Sequence, residues 1–77
     1  MVKEEVNEWQ FTPGTKIKVV VLQEEGGGYY IGNFLKYGRD NIILSNATFH
    51  ASNGTTESYA STISINKRIY RHAHVVK

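Results

Sequence analysis

Two stretches of this sequence hold residues that could do chemistry. The last eleven residues carry Lys67, Arg68, Arg71 and Lys77 with no acid, a local charge of +4, and the imidazoles of His72 and His74 stand among them. The other stretch is Tyr37-Gly38-Arg39-Asp40-Asn41, where an aromatic ring, a cation, a carboxylate and an amide lie close together. Cations beside flat side chains suit phosphates and planar ligands. Other chemistries lack parts. Asp40 and His72 could serve as acid and base, but no serine or cysteine nucleophile motif and no paired carboxylate accompanies them, so no enzyme is expected. His72 and His74 could share a strand face, yet only His50 is added elsewhere and the chain has no cysteine, so no metal or other cofactor is expected. Gly26-Gly27-Gly28 is followed by neither Gly-Lys-Ser/Thr nor a helix and reads as a turn, not a phosphate cradle.

The scaffold that positions these groups must be small. A chain of 77 residues with 40% hydrophobic residues and no cysteine is one domain with no disulfide to staple it. At that size core burial barely exceeds chain entropy, and self-association is the usual remedy. The net charge is only +2: the first ten residues are acidic, residues 11 to 66 balance four of each sign, and the surplus sits at the end. The longest aliphatic run, Val19 to Leu22, is far short of a membrane span. The opening VKEEVNEWQF is acidic and lacks an apolar core, unlike a secretory signal, so a cytoplasmic protein is expected and the sequons at Asn46 and Asn53 are incidental.

Val2, Val6 and Trp9 recur at helical spacing, which predicts a short helix ended by Thr12-Pro13-Gly14. From Lys16 the period becomes two, with Ile17, Val19 and Val21 on one face of a first strand. A glycine turn leads to a second strand, Tyr29 to Tyr37, in which Gly32 permits a sharp bend. After the turn at Gly38 to Asn41 a third strand runs from Ile42 to His50, followed by a polar loop, Ser52 to Ser58. A fourth strand is predicted from Tyr59 to Tyr70, with Ile63, Ile65 and Ile69 on one side, and a short fifth from Ala73 to Val76. The fold class is therefore mainly β: an N-terminal helix within residues 1–11 and a strongly bent antiparallel barrel, SH3-like or OB-like, over 12–77. Strands four and five are left as edges that another copy could pair with, head to tail, to close a ring.

The order of features resembles the Sm/Lsm family, including its bacterial Hfq branch. Its first motif is similar to Pro13 through Leu22, then Tyr30-Ile31-Gly32-Asn33-Phe34, then Asn41 through Ala47, with Gly32 as the strand-bending glycine. Its second, in the Hfq form, resembles Ile69-Tyr70-Arg71-His72-Ala73-His74-Val75-Val76. The likeness covers about residues 12 to 76. Two departures stand out: Tyr37 is followed by Gly38 where the family has Asp, with Asp40 two places later, and the stretch from Ser52 to Tyr59 is longer than in Hfq. Mixed features of this kind suit the divergent, phage-encoded members.

The resemblance implies a homo-oligomeric ring that binds single-stranded, U-rich RNA as a chaperone or scaffold, with the turns after strands two and four meeting at its inner rim. The RNA-binding residues it implies are Tyr37, Arg39, Asp40, Asn41, Arg71 and His72. Their chemistry fits: Asn41 offers a donor and an acceptor to a uracil edge, Arg71 can stack while meeting phosphate, and His72 can donate to a base carbonyl or ribose hydroxyl. A ring multiplies one weak pocket by effective concentration. Two other readings stand beside it. One is a protein-interaction module whose SH3-like barrel assembles without RNA. The other is a monomeric OB-type binder that uses its sheet.

Overall fold

The computed structural model describes residues 11–76. The predicted helix at Val2 to Trp9 lies outside them. The described chain forms β1 (Lys16–Val21), a 3-10 turn (Gln23–Glu25), β2 (Tyr29–Tyr37), β3 (Asn41–His50), β4 (Thr56–Ser58), β5 (Ile63–Asn66), a second 3-10 turn (Lys67–Ile69) and β6 (Tyr70–Val75). All strand pairs are antiparallel. The strand order is β4-β3-β2-β1-β6, and β5 pairs with the other half of β3.

Alternation builds the core. Ile17 and Val19 are fully buried, with Val21 beside them, while Lys16, Lys18 and Val20 turn to the opposite face of β1. Phe34, Ile42, Leu44, Ala47, Ile65 and Tyr70 complete the cluster, and Phe11 closes one side edge-on to Phe34 at 5.5 Å. Burying so many branched aliphatics in one layer is what lets a chain this short fold at all, each contributing about 1.5–3 kcal/mol.

Two register shifts curl β2 and β3 around that core. One extra residue enters β3 between the pairs Asn33–Ser45 and Ile31–Thr48, and one enters β2 between Phe34–Leu44 and Lys36–Ile43. At the first, Asn46 takes a left-handed conformation with φ of 49°, which asparagine tolerates better than most residues. Opposite it, a Cβ on Gly32 would lie 2.9 Å from the Ala47 Cβ and 3.1 Å from the Ser45 carbonyl oxygen. Glycine is needed there for close backbone approach.

The sheet does not close: β6 is paired only with β1, and β4 and β5 only with β3. Two predicted elements are corrected. The fourth strand does not run from Tyr59 to Tyr70; only Ile63–Asn66 is extended, and the chain then turns. The cause is local, because the Asn66 side chain accepts a hydrogen bond from the Arg68 N–H at 2.8 Å, a competitor to the strand ladder. The chain resumes as β6 already at Tyr70, three residues before the predicted start. The predicted polar loop, in turn, contains β4. Asn53 holds the Thr55 N–H at 3.0 Å, and Gly54 takes a φ of 97°, so a tight turn returns Thr56–Ser58 to pair with Thr48–His50.

Candidate nucleic-acid interface

The turn joining β2 and β3 is built around Asn41. The Gly38 N–H donates to the Asn41 carbonyl at 2.8 Å, and the Asn41 amide nitrogen donates to the Ser64 hydroxyl on β5. A Cβ on residue 38 would collide with the Asn41 side-chain oxygen. The glycine at 38 and the amide at 41 therefore form one unit. One amide hydrogen of Asn41 is spent on Ser64, leaving the carbonyl oxygen and one hydrogen for other partners.

The turn after β5 meets it. The Lys67 N–H donates to the Asp40 carbonyl at 2.8 Å, and Asp40, Asn66, Lys67 and Arg68 line an open cleft of about 220 Å³. Arg39 is exposed in the same turn. Tyr37 is partly buried, its ring 5.1 Å from that of Phe34, so it is engaged in packing against the core. Two turns thus bring a carboxylate, two amides and three cations to one end of the sheet.

Arg71 and His72 occupy different ground on β6. The register shift between Val20 and Val21 gives β6 an extra residue at Arg71, and His72 then pairs with Val20 and His74 with Lys18. Continuing across the sheet, Val20 pairs with Tyr29 and Tyr29 with His50. His72, Val20, Tyr29 and His50 therefore stand in one row on the outer face. In the next row are His74, Lys18, Ile31 and Thr48. The rings pack against one another: Tyr29 stacks on His50 at 4.7 Å, His72 on His74 at 5.3 Å, and the Lys18 ammonium lies 4.2 Å over the Tyr29 ring. Burial, then the charges of His74, Arg71 and Lys18, hold the His72 imidazole below the ordinary histidine pKa.

Where the resemblance implies Arg71 and His72, the structure joins Asp40 to the turn after β5 through Asn66, Lys67 and Arg68. These three were not among the expected site residues. Their signal was present as a polar, basic triplet interrupting an isoleucine pattern. The contacts made by Arg71 and His72 lie on the outer face with Lys18 and His74. Among the described residues no helix is long and apolar enough to cross a membrane. No family model matches the sequence, and no curated protein matches it.

Proposed function

We propose that this chain is an Sm-like RNA-binding protein of the divergent, phage-encoded kind. Copies pair the β5 edge of one with the β6 edge of the next to close a ring, and the ring holds single-stranded, U-rich RNA as a chaperone or scaffold in the cytoplasm. The observation that carries this reading is the hydrogen bond from Lys67 to Asp40, which sets two turns side by side around one cleft. Arg39, Lys67 and Arg68 supply phosphate contacts there. Asp40 accepts from the uracil N3–H, and the amide of Asn41 reads a base edge. Arg71 and His72, on the strand that follows, extend the basic surface once β6 lies at an interface between copies. The open edges at β5 and β6 support assembly, since unpaired strand edges invite a partner.

Fluorescence anisotropy of the full-length protein with labelled oligo(U) and oligo(A) at several salt concentrations tests it. The reading expects saturable, salt-sensitive binding with oligo(U) preferred, weakened by Arg68→Ala and by Arg71→Ala. No binding to either strand contradicts it and favours a protein-interaction module.

A further inference from the structure

The RNA reading uses His72 but gives no role to its neighbour His74. His72 and His74 are two residues apart on one face of the strand, both exposed, with ring centroids 5.3 Å apart and planes only 23° from parallel. Two imidazoles holding one ion at about 2.0–2.1 Å each need their ligating nitrogens within about 4 Å. The stacked rings do not themselves converge on one point, so a shared ion requires rotation about the side-chain bonds of these two exposed residues. We propose that His72 and His74 form a two-histidine chelate for a late first-row divalent ion such as zinc, nickel or copper, with water in the remaining positions.

Lys18 pairs with His74 across the ladder and its charge acts on His72, while its ammonium lies 4.2 Å over the Tyr29 ring, so it weakens cation binding at the pair without occupying it. Arg71 precedes the pair and is exposed to solvent, which screens it. Among the described residues no third histidine, cysteine or carboxylate completes a closed group, so the site is open and its ion exchangeable. Nitrogen ligands of this kind discriminate against magnesium, which prefers oxygen. None of this depends on RNA binding.

Calorimetric titration of the full-length protein with Cu²⁺, Zn²⁺ and Mg²⁺ near neutral pH tests the proposal. The expected result is one saturable ion per chain, Cu²⁺ tighter than Zn²⁺, and no Mg²⁺ binding. His74→Ala and His72→Ala each weaken Cu²⁺ binding by at least about tenfold. His50→Ala, which alters the other ring stack, leaves it unchanged, and on titration with Zn²⁺ the imidazole NMR signals of residues 72 and 74 shift first. Absence of saturable binding, wild-type affinity in His74→Ala, or an equal loss in His50→Ala overturns the assignment.

Discussion

The backbone N–H of Lys67 donates to the carbonyl of Asp40 across 2.8 Å, and this bond fixes where the basic end of the chain begins. Asn66 sets it up by capping the turn through Arg68, and Leu22 closes the other side by donating to the Ile69 carbonyl at 2.8 Å. A turn whose backbone is held from three directions has little main-chain freedom left to lose on binding. Preorganisation of that kind favours affinity without adding contact area.

If the cations of this cleft meet phosphates, each should appear in the salt dependence of binding. Arg39→Ala and Arg68→Ala are expected to reduce the slope of log K against log salt by about 0.7 apiece on single-stranded RNA. Anisotropy titrations with oligo(U) at four or more salt concentrations check this. A weaker complex with an unchanged slope would show that the arginines act through folding.

Gly38 and Asn41 are coupled, because any side chain at 38 displaces the Asn41 amide from Ser64. Gly38→Ala is therefore expected to cost about 1 kcal/mol, the net worth of one hydrogen bond. Ser64→Ala, which removes the same bond without crowding, gives the comparison in urea unfolding. Full stability in Gly38→Ala would mean that the amide has an equally good second position.

The strands at Lys16–Val21 and Tyr29–Tyr37 are legible in the sequence because β-branched and aromatic residues alternate with polar ones between glycine-rich breaks. The second half is harder. Ile63, Ile65 and Ile69 keep the parity of one strand face, but Asn66 turns the chain and carries Ile69 against the core from a 3-10 turn. Nothing marks β4, whose three residues are all exposed and whose pairing follows from the turn at Asn53-Gly54. The outer-face row was hidden for a different reason: which residue stands beside Tyr29 depends on register shifts that no periodicity reveals. For the site, the turn at Arg39, Asp40 and Asn41 could be read from residue types, whereas its meeting with Lys67 is a tertiary contact between backbone groups.

Gly32 tests the bend. A methyl there would press on Ala47, which is buried in the core, and on the Ser45 carbonyl. Gly32→Ala is expected to destabilise by about 1–3 kcal/mol, as overpacking does. Chemical denaturation measures it, and a neutral result would show that β2 can shift away from β3 at little cost.

His72 makes stability depend on pH. Its folded pKa lies below the ordinary 6.5, so the unfolded chain binds the proton more tightly. Its contribution is full above about 6.5 and is lost as pH falls through the lowered folded value. Urea midpoints followed from pH 7.5 down to 5 should therefore decline more steeply for the wild type than for His72→Gln. Parallel curves would remove His72 as a cause.

Native mass spectrometry of the protein, alone and with a short oligo(U), bears most directly on the proposed RNA-binding ring. The expected result is one closed homo-oligomer whose mass rises by a whole number of RNA strands when oligo(U) is added. A monomer at micromolar concentration, or an oligomer whose mass does not change with RNA, contradicts it.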